Sequence, residues 1–354
     1  MPGALSVYGF LNAKLKARIS GLLSTETLEA LVRAPTLSEA MVLLKDTPYS
    51  ALETEYSRTG DLRGCEALLY SMEVEYHTGL ERFSKEPACS VIRAHSVRFE
   101  AETLKNALRL WFEERIRKRP ADLRAVFLYR GPLPHGLDLD AVLAAPDPAA
   151  LIEAVAGTPY EAVLRRNGPR IESERTLYPL ESDLDRLAFS VLLSSLGGLS
   201  RRDRDIARRV LGIEIDLHNV QWLARAQHFH RLAPEEALAS LVPGGSPFDA
   251  AKAASAYRSG NVPELTETIL GGRDRGLGAL AGSGGDPSAR LSFLERALHS
   301  VLKAESVRLL GGYPFTIGTV LAYFALRREE TRTLLALLNA KYYALPEERI
   351  RSAL

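Results

Sequence analysis

Three histidines near the middle of the chain, His218, His228 and His230, are the first residues that suggest chemistry. Their spacing argues against a metal site. His228 and His230 are two apart, and a helix splays such a pair. His218 and His228 are nearly three helical turns apart, and no Cys or second converging acid lies nearby. Glu181-Ser182-Asp183-Leu184-Asp185 holds three carboxylates in five residues. Following Pro179, with Ser182 and Asp185 at capping distance, it reads as a helix N-terminus rather than an acid/base pair. Gly276-Leu277-Gly278, with Gly282, Gly284 and Gly285 beyond it, has the glycine density of a phosphate loop. It lacks the preceding buried strand and the following Lys-Ser/Thr, so it reads as a surface loop. Cys65 and Cys89 have no activating partner in the sequence. Catalytic, metal-binding and cofactor-binding residues are therefore predicted to be none.

Two further charged features read as structural. The run Arg201-Arg202-Asp203-Arg204-Asp205-Ile206-Ala207-Arg208-Arg209 suits a solvated helix face, with a docking patch for an acidic protein as the sharper alternative. No aromatics interleave with it, which argues against nucleic acid. The acids Glu100, Asp216 and Glu330 each lead a similar stretch, with Thr103, Asn219 and Thr333 three residues on and Arg109, Arg225 and Asn339 nine residues on. An active site needs one asymmetric constellation. Three copies of an acid predict a shared structural duty: helix capping, or a pair with a basic residue such as Arg109 or Arg225.

These echoes belong to a larger repeat. Ala34-Pro35 followed by Thr47-Pro48-Tyr49 returns, 111 residues later, as Ala145-Pro146 followed by Thr158-Pro159-Tyr160. Pro234-Glu235-Glu236 returns as Pro346-Glu347-Glu348, each with the Pro and first-turn acids of a helix start. Ser24-Thr25-Glu26 and, more weakly, Pro134-His135-Gly136-Leu137 fill the same slot. Asn12-Ala13-Lys14 resembles Asn339-Ala340-Lys341, so the chain begins and ends inside one unit. Repeats of this size suggest an architectural protein. The partition predicted is residues 1–105, 106–222 and 223–354, with the termini sharing a unit.

Helical periodicity dominates the rest, as in Leu104, Leu108 and Trp111-Phe112. Ala125 to Tyr129 alternates as a strand would but lies between helical stretches. The predicted fold class is all-α, with roughly 15–20 helices. Composition is that of an ordinary globular protein: 354 residues, 46% hydrophobic, 25% charged, net charge +1. That balance gives neither a nucleic-acid footprint nor an acidic tail. Two cysteines suit reduced thiols in the cytosol. The stretch from Leu309 to Leu326 has no charge, but Gly311-Gly312-Tyr313-Pro314 breaks it. It predicts a buried soluble helix starting near Phe315, not a membrane span.

Several of these segments resemble the C subunit of the archaeal and bacterial A/V-type rotary ATPases, the equivalent of the d subunit of eukaryotic vacuolar ATPases. The resemblance is carried by Tyr8-Gly9-Phe10-Leu11-Asn12-Ala13-Lys14, by Asp216 to Arg225, by Gly312-Tyr313-Pro314 running on to Thr333-Leu334, and by Lys341-Tyr342-Tyr343-Ala344-Leu345-Pro346. Thr103 and Thr333 depart from the family's usual Asn, and residues 271–287 look like an insertion. The resemblance implies three similar helical units in a pseudo-threefold funnel on the cytoplasmic face of the membrane. It implies a non-catalytic central-stalk component of an ATP synthase, without cofactor or small-molecule ligand. Its partners would be the proteolipid rotor ring and the D and F subunits of the central shaft, and its work the transmission of torque for proton or sodium transport. The competing expectations are a helical-repeat scaffold that binds unrelated peptides and an enzyme with an unrecognised site.

Overall fold

In the computed structural model, the described residues are 3–120, 122, 126–227, 232–260, 264, 265, 268 and 287–353. Among them are sixteen α-helices and no strand. Three helices are long: α6 (Ala88–Arg115), α11 (Arg201–Arg225) and α15 (Ile317–Tyr342). Each is preceded by another helix of seventeen residues or more: α5 (Leu62–Thr78), α10 (Tyr178–Ser195) and α14 (Pro287–Leu310). Shorter helices fill the intervals: α2 (Thr25–Arg33), α3 (Leu37–Leu43) and α4 (Ser50–Thr59) before α5; α7 (Leu139–Ala144), α8 (Pro148–Ala154) and α9 (Tyr160–Ser173) before α10; α12 (Pro234–Ala239) and α13 (Ala250–Ser259) before α14. The first helix, α1 (Ala4–Ile19), packs on α15, and the last, α16 (Glu347–Ala353), packs on α2 and α15.

Local sequence explains where these helices begin. Ser24, Thr36, Asp138, Asp147, Ser200 and Thr316 each accept a hydrogen bond from a first-turn backbone N–H, satisfying a donor the helix cannot. The Thr-Pro-Tyr echo is one turn built twice. Thr47 Oγ1 donates to Leu44 O (2.7 Å) and accepts from Tyr49 N–H (3.1 Å); Thr158 Oγ1 does the same with Val155 O (2.7 Å) and Tyr160 N–H (3.3 Å). Gly60, at φ +64°, ends α4 in the left-handed region that glycine adopts without strain.

Three hydrophobic cores are each served by one long helix. Leu104, Leu108 and Trp111 pack with α7–α10; Leu334, Leu337 and Leu338 pack with α2–α5 and Ile350; Leu217, Val220 and Leu223 pack with α12 and α13. A fourth core is a hub made by α1 and the opening turns of all three long helices: Leu11, Ile92, Leu211 and Phe324. Asp203 ties it together, accepting from the Tyr8 hydroxyl (3.1 Å) and the Ile317 N–H (2.9 Å).

Four local expectations change. The apolar helix starts at Ile317 rather than Phe315, because the Thr316 side chain caps Gly318 N–H (3.2 Å). Residues 126–129 form no strand; Phe127 O accepts from Asn106 Nδ2 (2.9 Å), pinning a loop to α6. The helix expected near Pro134 begins at Leu139, where Asp138 supplies the cap. Glu181–Asp185 does lie at a helix start, with Pro179 and Glu181 in the first turn of α10, but Ser182 and Asp185 do not cap it; Ser182 donates to Ser240 O (3.3 Å). His228, His230 and the glycines at 276–285 lie outside the described residues.

Candidate functional site

The three recurring acids do a common job in three places. Glu100 is fully buried and accepts from His135 N–H (2.9 Å) and the Tyr160 hydroxyl (3.0 Å), with His135 Nδ1 at 2.6 Å. Asp216 accepts from Ser246 N–H (2.7 Å) and its hydroxyl (2.8 Å). Glu330 accepts from Leu23 N–H, the Tyr49 hydroxyl (2.5 Å) and Arg327 Nη1 (2.9 Å). Each acid fastens a loop backbone N–H, two to four residues ahead of a short helix, to a long helix. The two tyrosines belong to the repeated Thr-Pro-Tyr turn, and burial together with the adjacent carboxylates pushes both phenols up.

The expected pairing of these acids with Arg109 or Arg225 does not occur. Nine residues at 100° each put the two on opposite helix faces. Arg109 instead donates to Glu181 through Nε (2.7 Å) and Nη2 (3.1 Å). Asn339, at the matching position of α15, donates to Glu66 and to Leu335 O (2.9 Å). Asn219 receives Val242 N–H and donates to Val242 O, both at 2.9 Å. Thr103 is buried beside a cavity, and Thr333 is half-buried away from it. Asn219→Ala is expected to cost roughly 2–3 kcal/mol, since both Val242 groups lose their partner. Urea denaturation of the variant against the wild type checks this.

Opposite the acid face lies a cavity of about 670 Å³, lined by α6, α11 and α15 together with α5, α10 and α14. The hub residues Ile92 and Leu211 lie just N-terminal to the lining positions of α6 and α11, and Phe324 of α15 belongs to both hub and lining, so the hub borders the cavity. Counting from the repeated acids, equivalent positions of the three long helices face inward: Arg98, Glu214 and Arg328, then Glu102, His218 and Arg332, then Lys105, Gln221 and Leu335. Apart from His218, read above only as an unsuited metal ligand, those residues were not singled out from sequence, although the offset from Glu100, Asp216 and Glu330 would have found them.

Three charge pairs join the walls: Arg98 of α6 holds Glu214 of α11, Lys105 of α6 bonds Asp185 of α10 (2.7 Å), and Arg328 of α15 reaches Glu73 of α5 (3.5 Å). Lys105–Glu102 (2.6 Å) and Arg332–Glu329 (2.6 Å) are pairs within one helix. Burial works against the Lys105 ammonium, but the Asp185 and Glu102 charges more than offset it and raise its pKa. All six lining acids are engaged with a neighbouring cation in this way. Arg225 is the lining cation without an ion-pair partner among the described residues.

At the cavity floor the His77 and His95 rings stack at 5.3 Å, with Phe324 4.2 Å from His77 and 4.6 Å from His95. Burial drives the His77 pKa down to about 3 and His95 well below its ordinary value, with nearby arginines adding to both shifts. His218 is lowered to about 4 by burial, which Asp185 at 3.9 Å only partly offsets. The imidazoles are thus neutral wall material, and no group of three metal-ligating side chains occurs among the described residues. The arrangement is a cavity braced by charge pairs.

Comparison with known proteins gives this cavity its context. The C subunit of the A-type ATP synthase of Thermococcus onnurineus is 25% identical over 355 residues, covering 97% of this chain and 89% of its own length. The protein of the same name from Methanocaldococcus jannaschii is 20% identical over 351 residues, covering 99% and 86%. That of Halobacterium salinarum is 24% identical over 362 residues, covering 98% and 97%. The profile of the ATP synthase (C/AC39) subunit family matches residues 11–353, and the chain belongs to that family.

Proposed function

We propose that this protein is the non-catalytic socket of a rotary A-type ATP synthase, seated between the central shaft and the membrane rotor ring. In this reading α15, α16 and α2–α5 form one unit, α6–α10 a second and α11–α14 a third, arranged as a pseudo-threefold funnel; the boundaries expected at 105/106 and 222/223 fall inside α6 and α11 and move to the starts of those helices. The cavity takes the tip of the shaft, built by the D and F subunits, and the hub end turns to the proteolipid ring on the cytoplasmic face. Torque then passes through the funnel wall to ion translocation. The observation that carries the reading is the cavity: equivalent positions of three repeated helices line it, the hub borders it, and its charges brace the wall. A torque-bearing part needs such stiffness, and pairs bonded across helices resist shear where solvated charges would not. Membership in the family supports the parent complex. No helix among the described residues is long and apolar enough to cross a membrane, consistent with a peripheral position.

Filling the socket tests the proposal. Gln221 of α11 and Leu335 of α15 are half-buried, and both line the cavity. Gln221→Trp with Leu335→Trp is expected to reduce ATP-driven ion pumping by at least about tenfold, the equivalent of ~1.4 kcal/mol of lost seating. The unfolding midpoint of the isolated chain should be little changed. Normal pumping by the double variant would mean that the shaft sits elsewhere.

A further inference from the structure

The residue nine positions after each repeated acid is used differently in the three units. Arg109 of α6 donates to Glu181, and Asn339 of α15 donates to Glu66. Arg225 of α11 is the third copy. It lines the cavity, it is exposed, and it bonds no acid among the described residues. Each of the other lysines and arginines of the lining holds a carboxylate of this chain. Helix register places Arg225 far from the hub. Leu211 packs in the hub, and Arg225 lies about 21 Å further along the same helix.

An aromatic pair stands toward the same end of the cavity. Tyr70 of α5 stacks on Phe127 at 5.5 Å, and both line the wall. His77, on the same helix as Tyr70, stacks on the hub residue Phe324, and Tyr70 lies about 10 Å from it along the helix, away from the hub. Phe127 O is held by Asn106, one turn before Arg109. Tyr70 is 41% exposed, a large ring open to the cavity. Aromatic and arginine side chains of this kind carry most of the energy in protein interfaces.

The charge of the lining narrows the occupant. Its six carboxylates disfavour a polyanion such as a nucleotide, whereas one unpaired guanidinium calls for one carboxylate. We propose that Arg225 receives an acidic side chain of the inserted shaft tip, and that the Tyr70–Phe127 pair receives an apolar side chain of the same tip. This rests on the socket reading and adds the chemistry of the contact. An insertion that displaces water from Arg225 lowers the local dielectric and strengthens the pair. An arginine in the last turn of α11 also complements the helix dipole, but that duty needs no partner and does not affect binding.

Affinity between the full chain and the purified D–F shaft tests the proposal. Arg225→Glu should weaken binding by at least about thirtyfold, because a charged hydrogen bond is lost and a like charge is set against the tip. Tyr70→Ser should weaken it by about tenfold. Arg58→Glu, on the outer surface, should change it by less than about threefold. The helical circular dichroism of Arg225→Glu should match the wild type. Replacing the acids of the shaft tip one at a time by arginine should yield one shaft that binds the Arg225→Glu chain better than the wild-type chain, a reversal that misfolding cannot produce. Wild-type affinity in Arg225→Glu, or no shaft acid whose reversal restores binding, would overturn the proposal. If the chain with Gln221→Trp and Leu335→Trp still loses the shaft in that case, the socket stands and only the contact falls. If the filled cavity also binds normally, both fall.

Discussion

Replacing Glu330 with alanine is expected to lower the unfolding free energy by roughly 3–5 kcal/mol. That is a large share of the ~5–15 kcal/mol that holds a typical domain. Glu330 fastens Leu23 N–H and the Tyr49 hydroxyl to α15, and it is the carboxylate paired with Arg327. Arg327 is only 3% exposed and lies over the Tyr76 and Tyr49 rings at 3.8 and 4.8 Å. Its Nε and Nη2 have no hydrogen-bond partner among the described residues. Without Glu330 a buried cation loses its counter-charge in a place water does not reach. Removing the cation as well, in Glu330→Ala with Arg327→Met, should recover part of the loss, because the stranded charge is gone. Urea midpoints of the wild type and the single and double variants measure both effects. A loss below about 1 kcal/mol in the single variant would show that the clamp is ornamental.

Mild acid is expected to destabilise the fold through its buried imidazoles. His77 and His95 are enclosed by Phe99, Phe324 and each other, and Arg98, Arg327 and Arg328 add positive charge nearby. The His77 Nδ1–H donates to Glu73 O (2.7 Å), which fixes the neutral tautomer. Burial depresses both folded pKa values, so below the unfolded value of ~6.5 the unfolded chain takes up protons that the folded chain refuses. Stability is unaffected by this pair above that pH, and falls as pH drops from there toward the folded value, about 3 for His77. An imidazole that stays neutral removes about 1.4 kcal/mol per pH unit, so His77 removes about 2 kcal/mol by pH 5, and His95 acts in the same direction. The unfolding free energy measured between pH 7 and 5 should therefore slope downward, and His95→Phe should make the slope shallower. An identical slope in that variant would assign the acid sensitivity to other groups.

The all-α class was legible because helical spacing runs through nearly every segment, and the family was legible from the order of loosely matching motifs. The Thr-Pro-Tyr echo was legible because one threonine side chain builds the same turn twice, at Thr47 and Thr158. What Glu100, Asp216 and Glu330 touch was not. Their partners His135, Ser246 and Leu23 lie in loops of different lengths and types, so no spacing announces them. The expected partners Arg109 and Arg225 failed on helix geometry alone, as nine residues turn the side chain away. The cavity wall was hidden for a related reason. Arg98, Glu214 and Arg328 share a repeat position but not a charge, so only the register, and not the residue type, links them. Glu181–Asp185 was legible as a helix start, but what its acids touch was not: they serve Arg109, Lys105 and Arg166 across helix interfaces.

The central claim is that the shaft enters the cavity, and a photo-crosslinking side chain at Gln221 tests it most directly. Gln221 lines the cavity, whereas Arg58 stands on the outer surface at 69% side-chain exposure. In the assembled complex, irradiation with the probe at position 221 should join this chain to a protein of the central shaft, and the probe at position 58 should not. A shaft adduct from position 58 with none from position 221 would contradict the socket.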